Sequence, residues 1–179
     1  MPRYLRWALG LAAIISASSW AQSAHDVPLL PPVKQEKLAQ WETLRAQAVS
    51  HANLHAAPEA LDELAHVFDG HPRVWLGEDF HGGWKCRLVR LSPRTPVEIQ
   101  EWTSCTITEK AGAWLIDAPI GQRRIRGQLL PHDDRQLWFV SERGHQVAIA
   151  VSHRENRLRI EFPAPRAAVT YEVLELRRR

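Results

Sequence analysis

The chain has 179 residues, 45% of them hydrophobic and 24% charged, with 23 Lys and Arg against 20 Asp and Glu. That length suits one domain with a real core, and the sequence shows no internal repeat or low-complexity linker. The formal charge of +3 is too small for the basic face of a nucleic-acid binder, so nucleic acid is not an expected partner.

Arg3 and Arg6 form a short positive region, followed by the uncharged apolar run from Trp7 to Ile15 and the small-residue stretch Ser19-Trp20-Ala21. This layout predicts a secretory signal peptide cleaved after Ala21. The apolar run is well short of the ~20 residues that a spanning helix needs, so no stable membrane span is expected after cleavage. An uncleaved anchor is the competing reading. Loss of Arg3 and Arg6 brings the charge close to neutral, which weakens the case for a polyanion partner. The expected location is outside the cytoplasm: periplasmic where there is an outer membrane, secreted otherwise.

Residues 22–33 read as an extended leader, because Pro28, Pro31 and Pro32 block regular helix. Helical spacing begins near Lys34, with Leu38, Trp41, Leu44 and Ala48 on one stripe. A second helix is expected from Pro58, with Leu61, Leu64, Ala65 and Phe68 on its apolar face and Asp69-Gly70 as its stop. Residues 34–70 thus form a helical N-terminal portion of one domain.

From residue 71 to 179 the period becomes alternating. Trp84, Cys86 and Leu88 share a face, as do Val147, Ile149 and Val151, and Leu158, Ile160 and Phe162. Further strands are expected at 97–108, 113–117, 123–130, 136–141 and 169–176. Turn-like separators lie between them, including Ser92-Pro93, Pro131 to Asp134, and Pro163 to Arg166. The predicted fold is mainly β within an α+β chain. It is an antiparallel barrel or sandwich of about eight strands, preceded by two amphipathic helices.

Cys86 and Cys105 are the two cysteines. Outside the cytoplasm an even count favours a disulfide, with two buried free thiols as the alternative. If their strands are neighbours, the bond would staple the sheet and fix its register.

Four motif stretches occur in order: Gly83-Trp84-Lys85-Cys86-Arg87, Ser104-Cys105-Thr106-Ile107, Gly121 to Leu129 with Arg124 and Gly127 inside it, and Asp133 to Phe139. This series resembles the bacterial exported proteins catalogued as domain of unknown function 4893, over residues 36 to 176. The resemblance implies an exported compartment and this architecture. It implies no activity and assigns no catalytic residue.

No nucleophile elbow, phosphate loop or dinucleotide fingerprint is present, and no catalytic residue, metal or cofactor is expected. Arg87, Arg124, Arg126 and Arg135 are the candidate ligand-binding cations, because guanidinium binds carboxylate or phosphate bidentately. The competing reading pairs them across strands with Glu98 or Glu101. Trp102 joins the candidates: strand alternation places it opposite Val97, Ile99 and Cys105, so it is expected on a different face. Two loops, Glu78/Asp79/His81 and His132/Asp133, offer carboxylates and imidazoles, but turn chemistry is the favoured explanation of both. His51 and His55 share a helix face but lack the Glu of a zinc-protease helix, and a helix end suits two such side chains. The first reading is a non-enzymatic β-domain binding a small ligand or an envelope protein. The alternatives are a hydrolase-type enzyme using Glu78, Asp79 and His81, and a purely structural envelope protein.

Overall fold

The computed structural model describes residues 32–75, 79–154, 156–166 and 168–179. The expected signal peptide, nearly all of the leader, and Glu78 lie outside the described residues.

Alternating inward and outward side chains build a closed antiparallel barrel. Its strands are β1 (Gly82–Leu91), β3 (Thr103–Lys110), β4 (Ala113–Ile120), β5 (Arg123–Pro131), β6 (Gln136–Ser141), β7 (Val147–Arg154), β8 (Arg157–Arg166) and β9 (Val169–Arg178), with a short extra strand β2 (Glu98–Ile99). Each pairs with the next, and β1 pairs with β9 from Trp84↔Arg178 to Leu91↔Tyr171, which closes the cylinder. Closure decides between the two architectures left open by the sequence: the fold is a barrel. An eight-stranded barrel is narrow enough for side chains to fill. Trp84, Leu88, Ile107, Leu129, Phe139 and Leu174 are among those that fill it. Gly127 belongs to this packing, since a Cβ there would strike the Val140 carbonyl oxygen and the Phe139 ring.

Three details differ from expectation. The segment expected as one strand over 97–108 is broken. Val89 faces Ile99, but Cys86 faces Thr103, so the β2–β3 side carries one residue more than β1 between these pairs. Such a bulge turns the following side chains to the other face. Val97 and Ile99 therefore pack under the helices, while Cys105 points into the barrel. Trp102 lies on the outer side with Val97 and Ile99, not opposite them. Second, Pro163 to Arg166 continue β8 instead of forming a turn. Ladder pairing with β7 stops at Glu161, and Pro163 pairs only with Tyr171 of β9. Its missing N–H is tolerated where ladder pairing with the second neighbour has stopped. Third, there are three helices: α1 (Pro32–Ala39), α2 (Trp41–His55) and α3 (Pro58–Phe68). The backbone departs from helix at Gln40 (φ −99°, ψ 10°).

The bend lets Leu38 and Trp41 pack on Ile149 and Val151 of β7. Beyond it, Ala48 and Ala52 of α2 meet Val89, Leu91, Tyr171 and Val173. In α3 the buried residues are Leu64 and Val67, and Ala65 is exposed. The helices thus cover the outer face of β1 and β7–β9. The helix cover extends to Trp138 of β6, which packs against the Leu38 and Trp41 cluster, and thins out over β3–β5.

The two barrel ends differ. At one, Trp75 and Phe80 are buried against Trp114 in edge-on contacts, with centroids 5.7 and 5.1 Å from it. Trp75 Nε1 donates to the Asp133 carbonyl at 2.5 Å, and Trp84 Nε1 to the Phe80 carbonyl at 2.9 Å. At the other end the inward positions are charged. Arg90 donates to Glu172 and Glu98, both at 3.0 Å, and Arg123 binds both oxygens of Glu172.

Candidate functional site

Because the barrel interior is filled, the chemistry that remains available lies outside. Beyond the helix cover the ladder aligns side chains in rows across four strands. One row is Thr108, Leu115, Gln128 and Val140, and beside it lie Thr106, Asp117 and Arg126. Glu142 follows next to Arg126, its backbone N–H donating to the Arg126 carbonyl at 3.0 Å. These residues line an open cleft of about 800 Å³. Outward positions are mostly polar here, with Leu115 and Val140 half-buried among them.

Arg124 and Arg126 are brought together on this face, as two-residue strand spacing requires. Both bind Asp117: Arg124 through Nε at 2.7 Å and Nη2 at 2.6 Å, Arg126 through Nε at 3.1 Å and Nη2 at 2.9 Å. The hydrogen bonds from Arg124, with those from Arg126, hold the Asp117 carboxyl well below the usual carboxylate range. The guanidiniums stay open to solvent, 55% and 43% exposed. Cross-strand pairing therefore holds, but Asp117 is the partner, in place of the Glu98 or Glu101 expected from sequence. Glu98 serves Arg90 instead.

Arg87 is separated from this pair by β3 and β4. It is buried on the outer face of β1, its Nε 2.8 Å from Glu175 Oε2 and its Nη1 3.0 Å from Glu63. Its guanidinium lies 4.5 Å from the Trp102 ring centroid, and that of Arg177 lies 4.8 Å from it. Arg135 is exposed near the start of β6, where Asp133 Oδ1 accepts from the backbone N–H groups of Arg135 and Gln136. The four candidate arginines and Trp102 thus fall into three places, with only Arg124 and Arg126 forming one cationic centre.

The polar loops are occupied by turn structure. Asp79 Oδ1 accepts from the His81 N–H at 2.8 Å, and Arg178 donates to the carbonyls of Asp79 and His81. His132 stacks on Trp138, centroids 4.6 Å apart. His51 and His55 lie in ring contact at 4.5 Å on α2. Among the described residues no group of three or more His, Cys, Asp or Glu side chains is disposed to hold a metal ion. Cys86 and Cys105 are buried free thiols on neighbouring strands, diagonal in register and hydrogen-bonded to each other. That bond, with burial, pushes the Cys105 thiol far above its usual range.

A second polar layer lies between the sheet and the helices. Glu161 accepts from Arg159 Nε at 2.6 Å, from the Tyr171 hydroxyl at 2.5 Å, and from Arg45. Burial, then Glu161, raise the Tyr171 phenol well above its usual value. Glu175 accepts from Arg87, Arg157 and Arg177. Burial pushes the Glu175 carboxyl up, but these three cations overcome it and hold it below the carboxylate range. Nearby His153 is buried, and burial, then Arg159 and Arg157, lower its imidazole to about 4.

Asp117, Glu175 and Arg177 were not singled out from the sequence. Alternation in 157–161 and 173–177 signals charged outward faces, but not which charges meet.

The fold and surface define a class: a small closed β-barrel with a filled interior, a helix-covered face and an open cleft over β3–β6. The chain belongs to the family described as Domain of unknown function (DUF4893), whose model matches residues 30–146. No curated protein and no solved structure matches it.

Proposed function

We propose that this is an exported, non-enzymatic protein that binds an envelope protein through the cleft on β3–β6. The observation that carries this is the cleft itself, floored by aligned rows of polar side chains with Leu115 and Val140 among them. A filled interior favours an external site over a small ligand held inside the barrel. Mixed polar and apolar character along an open cleft suits a protein surface. The hydrolase alternative has less support, because Asp79 and the backbone of His81 are engaged in one turn. A purely structural role is the remaining alternative.

Tagged full-length protein is expected to retain a defined partner from envelope extracts. The Leu115→Arg/Gln128→Arg double variant should lose it, and a Lys85→Ala control should keep it. Equal capture by the double variant would sink the cleft reading, and no specific capture by the native protein would favour a structural role.

Export and oxidation belong to the same proposal. The charged, apolar and small-residue layout of the N-terminus supports periplasmic export with cleavage after Ala21. Side-chain contact between Cys86 and Cys105 supports a disulfide in that compartment. Intact mass of protein recovered from the envelope is expected to begin at Gln22 and to lie two hydrogens below the reduced value. A full-length or fully reduced mass would count against export or against the bond, respectively.

A further inference from the structure

The helix-covered face ends in a row of cations that the cleft does not use. Register places Lys85 of β1 directly opposite Arg177 of β9, and Arg177 directly opposite Arg157 of β8. Like charges opposite one another in a sheet repel, so such a row is not a neutral packing choice. One carboxylate, Glu175, serves Arg157, Arg177 and Arg87 together, and Glu63 adds a second contact to Arg87 alone. Lys85 is exposed, and among the described residues four cations here face two carboxylates.

Among the described residues, two donors at this place are buried without an acceptor: Arg87 Nη2 and Arg157 Nε. Arg87 is only 7% exposed, so an unmet N–H there carries a real desolvation penalty. Arg177 is 42% exposed and stacks on Trp102 with Arg87, which leaves an indole flanked by two guanidiniums at the edge of the row. By contrast, the exposed pair Arg124 and Arg126 meets Asp117 with four hydrogen bonds, the two from Arg124 in a fork.

We infer that Lys85, Arg177 and Arg157, beside Arg87 and Trp102, form a binding site for a compact oxyanion of the phosphate class. A tetrahedral oxyanion offers several acceptors in a small volume. Neighbouring strands lie about 5 Å apart, so three adjacent cations can converge on one such group. Guanidinium supplies forked donors, and Lys85 a mobile point charge. A free phosphate and a lipid phosphate headgroup share this chemistry.

The probe is inorganic phosphate, titrated into the full-length protein at constant ionic strength and read at the Trp102 indole N–H by NMR. A saturable shift is expected at millimolar phosphate and not with chloride. Lys85→Ala/Arg177→Ala should weaken it about tenfold or more, since two charge-assisted contacts are lost. Both side chains are solvent-facing, and Glu175 keeps Arg87 and Arg157, so the variant should fold; an unchanged melting temperature checks this. Arg124→Ala/Arg126→Ala should leave the shift intact. Binding to phosphatidylglycerol vesicles that phosphate competes away also supports the site and names a headgroup as its source. Equal shifts with chloride, equal shifts in the Lys85/Arg177 variant, or vesicle adsorption without a phosphate response would each overturn it.

Discussion

The two outer faces of the barrel use the same device, a carboxylate shared between arginines, at opposite depths. On β4–β5, Asp117 holds Arg124 and Arg126 in open solvent. On β1–β8–β9, Glu175 holds Arg87 and Arg157 in buried positions and Arg177 at the exposed edge, with no exposure of its own side chain. Hydrogen-bond lengths do not separate them. Dielectric does: exposed ion pairs are typically worth less than about 1 kcal/mol, whereas breaking a buried one costs about 3–5 kcal/mol. The covered cluster is therefore tied to the stability of the fold, and the exposed one is free to exchange partners.

The sharpest way to break this comparison is Glu175→Gln, which keeps shape and removes the anion shared by three guanidiniums, leaving Arg87 with Glu63 alone. It is expected to destabilise by about 3–5 kcal/mol in denaturant unfolding. A loss below about 1 kcal/mol would show that the covered face is as solvated as the open one.

His153 gives an intermediate effect. Burial and two arginines lower its imidazole from 6.5 to about 4 in the folded state. The folded state therefore disfavours the proton that the unfolded chain accepts. Its contribution is complete above the unfolded value near 6.5 and is lost as pH falls through the folded value near 4. Stability should drop by roughly 2–3 kcal/mol from this group over that window. His153→Gln should flatten that part of the pH profile; an unchanged slope would mean that other groups carry it.

The smallest effect anchors the other end of the same denaturation series. Asp117→Asn should shift stability by less than about 1 kcal/mol, because both partners are already hydrated. A loss comparable to that of Glu175→Gln would erase the distinction between the faces.

Much of the architecture was legible as periodicity. Trp84, Cys86 and Leu88 did share an inward face, and Pro58 did open a helix. The strand positions followed from alternation and turns. Trp102 was harder, because one inserted residue after Ile99 reverses the alternation and no local signal marks it. The candidate arginines were visible as residue types, but their partners depended on register. Arg124 met Asp117 seven positions away along the chain, and Arg87 met Glu175 eighty-eight positions away.

By itself the sequence determined which residues of most strands share a face, since a strand's period of two and a helix's near four are local properties of the backbone. It also determined the family, through short motifs that survive as written. Only the tertiary structure decided that β1 returns to β9, closing a barrel that its own side chains fill. Closure is a long-range pairing, and it fixes which outward charges share a row. It also fixes which face the helices cover. Lys85, Arg157 and Arg177 are an unremarkable scatter of cations in the chain, and a single row in the sheet.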